Sequence, residues 1–271
     1  MKNKITISIS DWILSQIDKK IDKKTLKNRS SVIESLVRKW LELKEDVWAL
    51  ILAHDDNWND WIYKLDIPKV LIKVDSKTLL EKHIEYLKNA KVTKIVISVW
   101  DKKQQIIDFI NSKKFTMEII FLEVNKADLS LWIISKSKQI LNTNKILTIL
   151  WDNYFYPLDL TDFIYYHNSN NSELSIIVKS VNSSDNYWNI KMQWNNIIEF
   201  MENPKNNDDF SNLINSWIYL LNSDIIPDRI KNLKIETDFF PEFVKNKRVK
   251  AYFHSWKYFH MQDNKTLFLF N

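Results

Sequence analysis

Residues 145–155 read KILTILWDNYF. Ile146 to Leu150 form an apolar run of strand length, bounded by Lys145 on one side and by Trp151, Asp152 and Asn153 on the other. A short continuous apolar run of this kind reads as a strand buried on both faces, as in a parallel sheet. The run ends by delivering a carboxylate, Asp152, beyond its C-terminal end, where ligands sit in open α/β sheets. The residue at the pivot is unexpected. A sharp turn that lets a ligand approach the backbone calls for glycine, and Trp151, the bulkiest side chain, stands there instead.

Composition generalises the problem. The 271 residues include 12 Trp and no Gly, whereas average usage of about 7% would give roughly 19 glycines. Several Trp lie in polar turns: Trp194 in MQWNN, Trp188 in DNYWN, Trp256 in HSWKY, and Trp58 and Trp61 in DDNWNDW. Such turns often need positive φ, which glycine adopts freely and a bulky residue does not. The pattern is explained if many of these positions are glycine in the cell, because some bacterial lineages read the UGA codon as Gly where a common alternative table reads Trp. The other reading is a Gly-free, Trp-rich protein.

Outward from the opening stretch, strands and helices alternate. VWALILA (47–53), KIVISV (94–99), MEIIFLEV and KILTIL (145–150) are predicted strands; KTLLEKHIEYLKNA, KQQIIDFINS, LWIISKSKQIL and DLTDFIYYH are predicted helices. This βαβ series predicts an α/β fold with a Rossmann-like, mostly parallel sheet. The second half turns β-rich in SELSIIVKSV, YWNIKMQ, NIIEFME and WIYLLN. With no Cys, the chain has no disulfide and no cysteine-based metal or nucleophile chemistry. No apolar run reaches the roughly 18 residues of a membrane span, and MKNKITISIS has no apolar leader core. A cytoplasmic protein with no membrane partner is expected.

Charge divides the chain into residues 1–45 and 46–271. The first 45 residues hold 11 Lys+Arg and 6 Asp+Glu, a net of +5, and the rest hold 28 of each, so the whole basic excess is N-terminal. That distribution suits a small nucleic-acid-binding module on a neutral body. Ile5, Ile7 and Ile9 alternate with Thr6, Ser8 and Ser10, predicting a half-buried strand. Ile13, Leu14, Ile17 and Ile21 follow helical spacing after Ser10 or Asp11 as cap, and a second helix carries Val32, Ile33, Leu36, Val37, Trp40 and Leu41. One strand and two short helices bury too little surface to fold alone, so a partner copy is expected.

TISISDWILSQIDKKI…KNRSSVIESLVRKWLE, over residues 4–43, resembles the ribbon-helix-helix DNA-binding family, with NRS-x-VI its most specific part. The resemblance implies a homodimer whose two strands pair into a ribbon that enters the major groove. Lys4, Thr6 and Ser8 would then face base edges, and Ser30 and Ser31 would hold a DNA phosphate at a helix N-terminus. The plainer alternative is a module that only dimerises the chain.

Residues 47–271 resemble the sugar-1-phosphate nucleotidyltransferases. The likeness rests on ALILA…KLDIPKVLIKVDSKTLLEKHIEYLKNA, TKIVISVWDKKQQIIDFI, ILTILWDNYF, YWNIKMQWNNIIEFMENP, NSWIYLLNSDII and DFFPEFV. Glycine in place of Trp100, Trp151, Trp188 and Trp217 improves each match. The resemblance implies joining of a nucleoside triphosphate to a sugar 1-phosphate, with Mg²⁺ neutralising charge. It assigns Lys69 to the phosphates and Asp152 to the metal, and it places Tyr187, Glu202, Asn203 and Trp217 against the sugar phosphate. Without the family context, Lys69 is a surface lysine after Pro68 and Asp152 caps a helix.

Several family features are replaced. The phosphate loop, Gly-Gly-x-Gly-Thr-Arg in the family, is His54-Asp55-Asp56-Asn57-Trp58-Asn59, which sets two carboxylates where a triphosphate would lie. Like charges near 4 Å repel by about 1 kcal/mol in water and ~4 at an effective dielectric of 20. The sugar-phosphate lysine is Asn203, and the second metal aspartate is His260. His260 suits a softer metal, or simply packs in a strand. Three functions follow: a sugar-nucleotide-responsive transcriptional regulator, an active nucleotidyltransferase, or an inert scaffold.

Overall fold

The structure is a computed structural model that describes residues 6–22, 26–40, 47–53, 67–151, 153–156, 158–181, 188–202, 212–228, 230, 233–254 and 257–260. The chain forms two compact units, Met1–Glu45 and Asp46–Asn271.

In the first unit, helix α1 spans Asp11–Lys19 and helix α2 spans Arg29–Trp40. They are tied by a bidentate ion pair in which Arg29 Nε and Nη2 donate to Asp18 Oδ1 and Oδ2 at 2.7 and 2.8 Å. Ile17 and Val32 are buried between them, while Ile7, Trp12, Ile13, Leu36 and Val37 remain exposed. Residues 6–10 form no strand, contrary to the alternation of Ile7 and Ile9 with Thr6 and Ser8. The physical reason is that a ladder needs a second strand, and among the described residues this unit supplies none. Ser10 occupies the N-cap of α1 without a side-chain hydrogen bond.

The second unit is built on a nine-stranded sheet. Four strands, β1 (Val47–Leu52), β4 (Lys94–Val99), β5 (Glu118–Glu123) and β6 (Lys145–Leu150), lie in the order β5-β4-β1-β6 and are all parallel. Two short strands, β2 (Lys73–Val74) and β3 (Lys77–Thr78), form a separate hairpin between β1 and helix α3 (Leu79–Asn89). The crossovers are α3, α4 (Lys103–Ser112) and α5 (Ser130–Leu141). After β6 come β7 (Asn153–Tyr156), helix α6 (Leu160–Ser169), β8 (Leu174–Ser180), β9 (Trp188–Gln193), β10 (Asn196–Glu202) and β11 (Leu213–Asn222). Helix α7 (Phe240–Lys245), β12 (Val249–Phe253) and β13 (Lys257–His260) close the described chain.

The sheet is mixed rather than mostly parallel. β11 runs antiparallel to both β6 and β8, and β10 is antiparallel to β12 and β9. The reason lies in the connections: a parallel neighbour needs a crossover, usually a helix, whereas β9 and β10 are joined directly by the turn at Trp194. Because β11 reverses between them, β6 and β8 run the same way, and their C-terminal ends share one sheet edge.

Two apolar layers flank the sheet. Ala49, Ile51, Leu147, Ile149 and Ile177 pack with Leu80, Ile84 and Leu87 of α3 and Phe163 of α6; Leu50, Ile146, Ile176 and Val178 pack with Ile134 of α5 and Phe240 of α7. Helix α3 starts in a capping box, with Thr78 Oγ1 accepting from Glu81 N–H and Glu81 Oε2 accepting from Thr78 N–H, an arrangement that satisfies two otherwise orphaned donors.

Positive φ occurs at Asp75, Lys91, Lys102, Asn142, Asn171, Trp194, Trp217 and Lys247. Lys91, Asn142, Asn171 and Lys247 fall at or just past helix ends, where glycine is the usual residue. Trp194, at φ 60, sits in the β9–β10 turn with 91% of its surface exposed. Trp217, at φ 59, sits where the β11–β8 register shifts between Asn215 and Tyr219.

Candidate functional site

Lys69 opens a one-turn 3-10 helix, Lys69–Leu71, just after Pro68. Pro68, at φ −57 and ψ 136, gives that turn an extended entry. The Lys69 ammonium lies 5.2 Å from the centroid of the Trp151 ring, over its face. Trp151 is buried, with its backbone N–H donating to Leu52 O at 3.1 Å. The C-terminal ends of β1 and β6 are thereby locked together beneath Lys69. Asp152 follows Trp151 in the chain but lies outside the described residues, so only its sequence adjacency brings it to Lys69.

The β13–β7 ladder extends the same corner. His260 pairs with Asn153 and Phe259 with Tyr154, which sets the backbone of His260 one residue from Asp152. The buried ring of Tyr154 accepts the Lys82 ammonium over its face at 4.6 Å, and Lys82 Nζ donates to Tyr154 Oη and Asp75 Oδ2, both at 3.1 Å. Burial pulls the Lys82 ammonium down, but these two hydrogen bonds outweigh it and leave it raised. Sequence reading missed Lys82, whose only signal was its place on the first turns of the helix after the DIPK segment.

A second group lies on β11. Asn215 Nδ2 donates to Tyr219 Oη at 2.6 Å, Tyr219 Oη donates to Glu236 Oε1 at 3.2 Å, and Asn215 Oδ1 accepts from Trp217 N–H at 3.0 Å. All but Trp217 are buried. The network pins the left-handed turn at residue 217. Glu236 comes from a π-helical turn, Ile235–Phe239, that leads into α7. Nothing in its neighbourhood singles it out, because Lys234 and Asp238 lie two residues away on either side.

The remaining expected positions divide. Register pairs Glu202 with Trp188, whose ring stacks on Phe200 at 4.9 Å. The phosphate-loop residues His54, Asp55, Asp56, Asn57, Trp58 and Asn59, together with Tyr187, Asn203 and Lys4, lie outside the described residues. Thr6 and Ser8 are exposed. The α2 N-terminus differs from expectation: Ser31 N–H donates to Asn28 Oδ1 at 2.9 Å, and Asn28 N–H donates to Ser31 Oγ at 3.1 Å. Asn28 thus caps the helix and takes up a donor that the sequence reading left for a phosphate.

Mg²⁺ takes oxygen ligands in octahedral geometry, from one or two carboxylates with waters and substrate phosphates; of the two positions assigned to it, Asp152 offers a carboxylate and His260 an imidazole, the poorer donor for that ion. Among the described residues no group of three or more His, Asp or Glu could hold a metal ion. No helix among them is long and apolar enough to cross a membrane.

The second unit is thus an open α/β sheet with the Lys69 ammonium over residue 151 at the carboxyl ends of β1 and β6, the edge at which sheets of this class take their ligands. The chain belongs to the nucleotidyl transferase family, whose model matches residues 64–258. Among its relatives, "Probable mannose-1-phosphate guanylyltransferase 3" of Arabidopsis thaliana is 25% identical over 194 residues, covering 68% of this chain and 58% of that protein. D-glycero-alpha-D-manno-heptose 1-phosphate guanylyltransferase of Campylobacter jejuni is 26% identical over 189 residues, covering 69% of this chain and 80% of the other. The chain spans a little over half the length of the plant and yeast relatives it matches. In fold it is similar to HddC from Yersinia pseudotuberculosis, solved in complex with GMP-PN, with a TM-score of 0.69 at 23% identity, covering 82% of this chain and 96% of that one.

Proposed function

We propose that residues 46–271 bind a sugar 1-phosphate or its nucleotide conjugate at the C-terminal edge of β1, β6 and β8, and that residues 1–45 couple occupancy to DNA as a sugar-nucleotide-responsive regulator. The observation that carries the ligand site is the Lys69 ammonium over residue 151, next in the chain to Asp152. The replaced phosphate loop, Asn203 and His260 favour binding over turnover. A site that works by placing charge loses several kcal/mol of transition-state stabilisation when an Arg, a Lys and an Asp are gone, and about 1.36 kcal/mol is tenfold in rate.

The homodimer is supported by the apolar residues that the first unit leaves exposed, Ile7, Trp12, Ile13, Leu36 and Val37, around a core too small to stand alone. DNA contact through Lys4, Thr6, Ser8 and Ser30 is supported by the N-terminal excess of basic residues; Ser31 would join them by exchanging its Asn28 cap for a phosphate. Glycine at Trp58, Trp61, Trp100, Trp151, Trp188, Trp194, Trp217 and Trp256 in the native protein is supported by the positive φ of Trp194 and Trp217. It is supported again by Trp151, whose buried ring fills the space under Lys69. Peptide mass spectrometry of the native protein reads these positions directly, and intact Trp at 188 and 194 would refute the assignment.

A second reading, an active sugar-1-phosphate nucleotidyltransferase, is favoured by the family match and by Lys69. One assay separates the two. The chain carrying glycine at those eight positions is mixed with each nucleoside triphosphate, sugar 1-phosphates and Mg²⁺, and pyrophosphate release is followed. Turnover lost in Lys69→Ala supports the enzyme. No turnover, with ligand-raised melting and an altered gel shift, supports the regulator. Absence of turnover, stabilisation and gel shift would refute both.

A further inference from the structure

Lys179 is the penultimate residue of β8, directly after the buried run Leu174–Val178. Its neighbours are fixed by register. Lys179 pairs with Ile214 of β11, and Ile214 pairs with Asn189 of β9. One residue before Asn189, Trp188 pairs with Glu202. Register therefore links Lys179 through Ile214 to β9, beside the Trp188–Glu202 pair where β9 begins and β10 ends. On the other side, the backbone N–H of His254 donates to Val178 O at 2.9 Å.

Facing can be read as well. Side chains alternate along a strand, and Ile177 belongs to the layer of Ile149 and Trp151, so Lys179 falls on the layer that holds Trp151 and Lys69. β6 and β8 are parallel and separated only by β11, which puts the two strand ends about 10 Å apart at the usual strand spacing. A sugar phosphate spans that gap. Lys179 is half-buried, and burial draws its ammonium below the ordinary lysine range. The buried His254 feels the Lys179 charge: burial first, then Lys179, lowers it to about 4, so it stays neutral beside the lysine. A part-desolvated ammonium at a ligand edge gains most from an anion.

We infer that Lys179 supplies the cation that meets the phosphate of a sugar 1-phosphate, in place of the lysine that position 203 lacks. This rests on the ligand site proposed above and assigns that site's anion contact. Two positive groups, Lys69 on the β1–β6 side and Lys179 on the β8 side, then bracket the ligand.

The test uses the full chain with glycine at the eight positions and calorimetric titration with mannose 1-phosphate, free mannose and inorganic phosphate. Lys179→Met and Lys179→Gln should weaken mannose 1-phosphate by about ten- to a hundredfold and flatten its dependence on salt. Lys179→Arg should retain binding, as should the control Lys191→Met. Salt dependence and rescue by Arg are not moved by a merely structural lysine. If both neutral variants fold and bind mannose 1-phosphate as tightly as the parent, Lys179 is not the contact, and the ligand site stands without it. If the folded parent binds no sugar 1-phosphate, the proposed site itself falls and this assignment with it.

Discussion

Trp194→Gly isolates what the backbone at that turn demands. Trp194 lies at φ 60 with 91% of its surface exposed, so its replacement removes almost no buried area. A side chain with a Cβ in the left-handed region costs roughly 1–2 kcal/mol, and glycine gives back about 0.4–1 kcal/mol through the greater freedom of the unfolded chain. The net is a stabilisation of about 1 kcal/mol, which raises Tm by about 2–4 °C in a domain of this size. Trp194→Ala keeps the Cβ and should leave Tm nearly unchanged. Thermal unfolding of the three chains in one buffer measures both differences. A Trp194→Gly chain that melts no higher than Trp194→Ala would refute the claim that this turn is built for glycine.

Acid should destabilise the second unit before its carboxylates titrate. His167, bonded to Ser175 Oγ and Asn222 Oδ1, and His254 are each lowered from 6.5 to about 4, chiefly by burial. The unfolded chain therefore binds more protons in that window, so stability is complete above pH 6.5 and falls as pH drops toward 4, by about 3 kcal/mol per histidine at most. Urea titrations at stepped pH check this, and a flat profile would contradict it. Tyr219→Phe removes a hydroxyl that accepts from Asn215 and donates to buried Glu236, and should cost about 1–3 kcal/mol by denaturant unfolding. Gel shifts with duplex DNA should weaken steeply with salt if residues 1–45 grip phosphates; no affinity at low salt would end the DNA reading.

The strands of the first half were legible because their apolar runs are continuous and their helices carry clear periodicity, as in KIVISV followed by KQQIIDFINS. The mixed half was not. Nothing local in LINSWIYLLN tells that it inserts antiparallel between β6 and β8, because strand direction is set by connections and by which edge is still open. Lys69 was legible from DIPK, yet its closeness to residue 151 is a tertiary fact. The Asn215–Tyr219–Glu236 network was hidden for another reason: its partners are separated by 17 residues between Tyr219 and Glu236, and neither is unusual alone. The N-terminal strand failed in the opposite way, since the alternation of Ile7 and Ile9 is real but one chain offers no strand to pair with.

The ligand edge is tested most directly by melting the chain with glycine at the eight Trp positions against GDP-mannose, with and without Lys69→Ala. At a ligand concentration near 100 times Kd the bound state gains about 2.7 kcal/mol. Tm should therefore rise by several degrees in the parent, and most of that rise should vanish in Lys69→Ala. A parent that shows no rise, or a Lys69→Ala chain that rises as much as the parent, would contradict a phosphate-gripping lysine at the carboxyl edge of β1 and β6.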